Sequence, residues 1–72
     1  MPPLRLWRAR RRHDHIDAVL ERREAPPVVW ELQYLCNDRP FLAWRYADRA
    51  AAEADAEARL ADLQRAGWTS HW

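Results

Sequence analysis

The stretch VVWELQYLCNDRPFLAWRYADRAAAEADAEARLADLQRAGW, residues 28–68, decides the fold. It reads as strand, tight turn, strand and then one long helix. On an extended chain Val28, Trp30, Leu32, Tyr34 and Cys36 share one face, while Glu31 and Gln33 point the other way. Asn37-Asp38-Arg39 is turn chemistry, and Pro40, which cannot donate to a ladder, marks its edge. A three-residue loop pairs Cys36 with Pro40 and sets Leu42, Trp44 and Tyr46 beside Tyr34, Leu32 and Trp30. A two- or four-residue loop would instead bring Phe41, Ala43 and Arg45 to that face and bury an arginine. The apolar match therefore predicts three.

Asp48 is a good N-cap, because its carboxylate accepts from an unpaired first-turn N–H at the positive end of the helix dipole. From Arg49 to Ala66 the chain holds no proline, glycine or β-branched residue, and alanine is the strongest helix former. Gly67 suits the left-handed position that ends a helix, and Trp68 then folds back on Leu63. Ala52, Ala56, Leu60 and Leu63 make one apolar stripe. Small residues there let the helix lie close over Trp30, Tyr34 and Trp44. Ala50, Ala54, Ala58 and Ala61 make a second stripe on nearly the opposite side, read first as solvent-exposed helix former and second as a contact surface.

The chain before this stretch predicts another hairpin. Pro2 and Pro3 give a stiff start. In Leu4–Arg12, Trp7 and Ala9 face one way and Arg8, Arg10 and Arg12 the other; Leu4 and Leu6 fall out of phase with Trp7, which predicts a bulge or a late strand start. His13-Asp14-His15 reads as a turn. Ile16, Ala18 and Leu20 alternate with Asp17, Val19 and Glu21 as a second strand, and a helix over residues 14–24 is the competing reading. Pro26-Pro27 breaks any element before Val28. Leu6-Trp7 and Asp14 echo faintly as Val29-Trp30 and Asn37. The expectation is an α+β chain in ββββα order. Two hairpins, at 4–23 and 28–47, form a four-stranded antiparallel sheet, a helix over 48–67 lies on one face, and 69–72 is a tail, all in one small domain over 1–72.

At 72 residues a chain buries only ~60–65% of its unfolded surface, so dimerisation is a natural route to stability. No apolar run reaches membrane-spanning length, the arginine-rich start does not read as a signal peptide, and one cysteine, Cys36, suits a reducing cytoplasm. The net charge of +1 hides segregation: residues 1–12 carry Arg5, Arg8, Arg10, Arg11 and Arg12 and no acid. All 12 basic residues are arginine, which points to a GC-rich bacterial or phage genome as much as to a nucleic-acid partner.

Tyr46-Ala47-Asp48, the alanine- and glutamate-rich helix and Gly67-Trp68 together resemble the closing third of a WGR domain, a nucleic-acid-associated module. The defining Trp-Gly-Arg is replaced by Ala43-Trp44-Arg45, so no family is assigned on that ground.

Function has three candidate bases. The first is protein association. Five Trp, two Tyr and one Phe exceed what one helix with few leucines covers. Trp7, Val29, Leu35, Phe41 and Trp72 are then candidate partner-binding residues, and aromatics and arginines anchor interfaces. The expected form is a homodimer, or an adaptor or inhibitor docked through the sheet face away from the helix. The second is nucleic-acid binding by Arg5, Arg8, Arg10, Arg11 and Arg12 with aromatic stacking, against which stands internal pairing with Asp17, Glu21 and Glu31. The third and weakest is a metal held by His13 and His15 with Cys36 or Asp38 nearby. It lacks the paired, tightly spaced ligands of zinc sites, and no cofactor is expected. No phosphate loop or nucleophile elbow is present, so neither an enzyme nor a small-molecule substrate is expected.

Overall fold

The computed structural model describes residues 2–24 and 26–70. Strands β1 (Leu4–Arg11), β2 (Asp14–Arg23), β3 (Val29–Cys36) and β4 (Arg39–Tyr46) form an antiparallel meander, followed by helix α1 (Arg49–Arg65) and a short strand β5 (Thr69–Ser70). The α+β reading in ββββα order holds, with one addition. The sheet order is β4-β3-β2-β1-β5, so the first residues of the expected tail return as a fifth strand. The helix carries the chain from the β4 edge to the β1 edge, where Ala9 pairs with Ser70 and Arg10 with Thr69.

Residues 14–23 are strand rather than helix, because alternation buries Ala18 and Leu20 between two neighbouring strands. The out-of-phase leucines have the predicted cause: the β1–β2 register shifts between Arg5 and Trp7, so Leu6 is the extra residue of a bulge. Asp48 caps the helix by accepting from Ala51 N at 2.8 Å. At the other end Gly67 has φ 98°, and Trp68 N donates to Leu63 O at 3.0 Å while Gly67 N donates to Gln64 O at 3.1 Å. This double bond pattern satisfies two of the orphaned last-turn carbonyls.

The second hairpin corrects one expectation and keeps another. Its loop is two residues, Asn37 and Asp38, with φ 51° and 69°, the left-handed pair that suits a hairpin's twist. Cys36 pairs with Arg39 and Leu35 with Pro40, not Cys36 with Pro40. The register then shifts between Tyr34 and Leu35, so Phe41 is inserted as a bulge and Leu42, Trp44 and Tyr46 still meet Tyr34, Leu32 and Trp30. The shorter turn plus one bulge residue yields the apolar match that a three-residue loop would have given.

The core is Trp7, Ala9, Ala18, Leu20, Leu32 and Tyr34 from the sheet and Ala52 and Ala56 from the helix. Full burial of Leu20 and Leu32 is worth ~1.5–3 kcal/mol each. Along the row Leu4–Leu20–Leu32–Trp44 the two central residues are fully buried, whereas Leu4 is 42% and Trp44 48% exposed. The reason is width: a helix ~10 Å across covers the middle of a four-strand row ~14 Å wide and leaves both rims open.

The buried alanines generate a test. Ala56→Leu should lower stability by ~1–3 kcal/mol through overpacking despite its good helix propensity, and the melting temperature should drop by ~4–8 °C for each kcal/mol. Ala58→Leu, on the exposed stripe, should change stability by less than ~0.5 kcal/mol.

Candidate functional site

Three regions bring together chemistry-bearing side chains: the contact between helix and sheet, the open sheet face, and the end where both hairpin turns lie.

At the helix contact the Trp7 indole N–H donates to Ala56 O at 2.9 Å, and the ring lies 6.0 Å from Tyr34, tilted by 42°. The Tyr34 hydroxyl donates to Asp55 Oδ2 at 2.9 Å, and Arg59 Nε donates to the same oxygen at 3.0 Å. The Arg59 guanidinium also stands 5.1 Å over the Tyr34 ring. Burial, and then the bond to Asp55, push the Tyr34 hydroxyl far above its ordinary value, so it is a fixed donor rather than a base. Burial pushes the Asp55 carboxyl up, but the bonds from Tyr34 and Arg59 outweigh it and leave a net depression.

Trp7 was expected at a partner surface and is instead 5% exposed. Its side of β1 is covered by the helix, and its indole has found a carbonyl. Trp72 lies outside the described residues. Val29 and Leu35 do stand on the open face, half-buried. Phe41 does not: as the bulge residue it lies beside Tyr34 on the helix side, centroids 6.5 Å apart, and is 57% exposed.

Phe41, Leu42, Ile16, Tyr34, Trp7 and Leu63 line a groove of about 240 Å³ between the sheet and the second half of the helix, with Arg59 and Asp62 also on its wall. The sequence held a signal for it in Asn37-Asp38, a two-residue turn pair that implies a compensating bulge.

The open face is not broadly apolar. Arg8 grips Asp17 through Nε at 2.6 Å and a second nitrogen at 2.8 Å, and Asp17 is 5% exposed. The hydrogen bonds from Arg8 hold the Asp17 carboxyl below the usual carboxylate range, against the opposing pull of burial. Further along, Glu21 and Glu31 face each other across β2 and β3. Arg23 bridges them at 3.2 and 2.8 Å, and Arg45 reaches Glu31 at 3.3 Å. The bond from Arg23 lowers the Glu31 carboxyl despite burial.

At the turn end, Asn37 ties the two hairpins together. Its N–H donates to His15 O at 2.9 Å, its side-chain oxygen accepts from His15 N at 3.0 Å, and its amide nitrogen donates to Asp14 at 3.0 Å. His15 Nε2 lies 3.2 Å from Asp38 Oδ1. His15, Asp17 and Asp38 offer ligand atoms within 4.8 Å of one another. Of the expected residues, His15 and Asp38 come together here, joined by Asp17, whereas His13 and Cys36 are not in the group. Cys36 pairs with Ile16 on the helix side, whereas His15 faces the open side, and His13 is exposed in the turn. Arg8 binds Asp17 and stands 3.9 Å from Asp38, so its guanidinium already supplies the positive charge that a cation would bring.

The basic strand divides. Arg8 is committed to Asp17, and Arg5 also adds to the field that lowers the Asp17 carboxyl. Arg10, Arg11 and Arg12 are exposed and, among the described residues, make no ion pair. Arg39, not anticipated, shares both properties.

Comparison of the chain with protein-family models, with curated proteins and with solved structures finds no match.

The Arg8–Asp17 pair yields an asymmetric expectation. Arg8→Ala leaves a buried carboxylate without its partner and should cost ~3 kcal/mol, whereas Asp17→Asn leaves an arginine that can turn to water and should cost ~1 kcal/mol. The folded Asp17 titrates below its unfolded value, so the pair's contribution is complete above the ordinary aspartate pKa of ~3.9 and fades as pH falls through the folded one. Urea unfolding of both variants from neutral pH to pH ~3 checks it: the gap between wild type and Arg8→Ala should narrow on acidification.

Proposed function

We propose that the protein is a non-enzymatic interaction module that associates with a second copy of itself, or docks on a larger protein, along the outer margin of β4. One observation carries this reading. Trp44, 48% exposed, sits on an edge strand that no other strand of the sheet covers. A free strand edge offers unpaired backbone donors and acceptors, and an aromatic beside it supplies the apolar anchor. The same strand from two copies, paired antiparallel about a two-fold axis, makes one continuous sheet and buries both Trp44 rings. A chain of 72 residues gains from the added burial.

The reading moves the contact surface away from the open face expected from the sequence. Val29 and Leu35 are there, but the Arg23–Glu31–Arg45 and Arg8–Asp17 pairs lie around them, and an interface on that side would have to desolvate both groups. Pro40 and the Phe41 bulge interrupt the β4 edge near the turn, which confines strand pairing to Leu42–Tyr46. No helix is long and apolar enough to cross a membrane among the described residues. A half-buried free thiol at Cys36 is compatible with the reducing cytoplasm we assign to it.

Sedimentation velocity from micromolar to millimolar protein is the test. The sedimentation coefficient should rise with concentration toward that of a dimer, Trp44→Arg should abolish the rise, and Leu35→Arg should leave it. A monomer at every concentration, or a dimer that survives Trp44→Arg and is lost in Leu35→Arg, overturns the assignment of β4.

A further inference from the structure

The arginines of this chain fall into two populations. Arg8, Arg22, Arg23, Arg45, Arg49, Arg59 and Arg65 each have a carboxylate partner within the fold. Arg10, Arg11, Arg12 and Arg39 have none among the described residues, and all four gather at the turn end of the sheet. A coding bias toward arginine explains their abundance but not this sorting. The acids at that end are engaged: Asp14 accepts from Asn37, and Asp38 contacts His15 with Arg8 close by. Asp14 keeps its charge, because the Asn37 amide is neutral, and Arg8 serves both Asp17 and Asp38, so five guanidiniums against three carboxylates leave this end net positive.

Strand alternation places two of them beside the groove. Ala9 is buried under the helix, so Arg11, two residues on, faces the helix side; Arg39 pairs with Cys36, which faces that side as well. Arg39 is followed after one residue by Phe41, whose ring is 57% exposed at the groove. The groove, about 240 Å³, is smaller than the ~300–1,000 Å³ of sites for drug-sized ligands and suits a single flat ring system. An open aromatic face flanked by uncommitted arginines is the pairing that single-stranded nucleic acid requires, one part for a base and the other for phosphates. Duplex has its bases stacked internally and gains nothing from Phe41, and an acidic peptide has no flat ring at fixed spacing from its charges.

We propose that the turn end of the sheet binds single-stranded nucleic acid, with phosphates on Arg10, Arg11, Arg12 and Arg39 and one base stacked on Phe41 at the mouth of the groove. The site is separate from the Trp44 margin of β4 and does not depend on self-association.

Fluorescence anisotropy of a labelled oligothymidylate tests it, with the full chain and four comparators. These are the same oligonucleotide as a duplex, poly-glutamate as competitor, and the variants Phe41→Ala and Arg11→Ser/Arg39→Ser. All the altered side chains are exposed, and circular dichroism checks that the variants fold. Four phosphate contacts on a single strand imply affinity about 50-fold weaker at ~200 mM than at ~50 mM salt. Phe41→Ala should weaken binding roughly tenfold at an unchanged salt slope, since it removes stacking and no charge. The double arginine variant should weaken binding and flatten the slope. The proposal fails if the oligonucleotide does not bind at low salt, if poly-glutamate displaces it as readily as unlabelled strand does, or if the duplex binds equally well and Phe41→Ala is silent.

Discussion

The close approach of one helix to the sheet is the constraint on which the rest of this structure depends. Ala52 and Ala56 bring the helix backbone near enough for the Trp7 indole to reach the Ala56 carbonyl, and for Tyr34 to reach Asp55 one residue earlier. A larger residue at either alanine would lift the helix off both donors and leave a buried indole N–H without an acceptor. The small stripe on the helix and the large rings on the sheet are two halves of one fit. Because the helix is narrow, that fit secures the middle of the sheet and leaves Leu4, Phe41 and Trp44 at its rims. The exposed aromatic surface is therefore a consequence of how the core is built.

Charge is partitioned along the same lines. The open face, with no helix to cover it, is closed by ion pairs across strands, Arg8 with Asp17 at one end and Arg23 with Glu31 at the other, where Arg23 also pairs with Glu21 on its own strand. The pair at Asp17 is well shielded, the one at Glu31 partly so, and the remaining surface pairs are worth little individually. What distinguishes the turn end is that Arg10, Arg11, Arg12 and Arg39 have no carboxylate partner among the described residues. The basic strand is thus two things: a structural cation at Arg8 and an uncommitted cluster beginning at Arg10.

Much of the fold was legible in the sequence because it rests on local signals. Asp48 and Gly67 bracket the helix, alternation from Ile16 to Leu20 marks a strand, and the phase break at Leu6 marks a bulge. The register of the second hairpin was legible for a different reason: burying Arg45 costs far more than any plausible turn, so the apolar match decided it. The turn itself is ambiguous in sequence, since two left-handed residues followed by a bulge give the same register as three loop residues. That ambiguity matters for the site. A three-residue loop puts Phe41 on the open face, whereas the bulge turns it toward Tyr34. Alternation sets Trp7 with Ala9 opposite the arginines, but which face of the sheet the helix covers, and that the indole meets a carbonyl 49 positions away, are tertiary facts that no local pattern encodes. Nothing local marks Arg39, because its significance is that it has no carboxylate partner among the described residues, a property of the folded surface and not of its neighbours in the chain.

Trp7 and Ala56 pin the helix to the sheet, while Trp44 stays outside that contact. Exchange of the indole N–H protons in D2O, followed by 1H–15N correlation spectroscopy and assigned with Trp7→Phe and Trp44→Phe, measures it directly. The Trp7 indole proton should persist long after that of Trp44 has exchanged. Equal and rapid exchange of the two would mean that the helix does not hold the sheet in the way described.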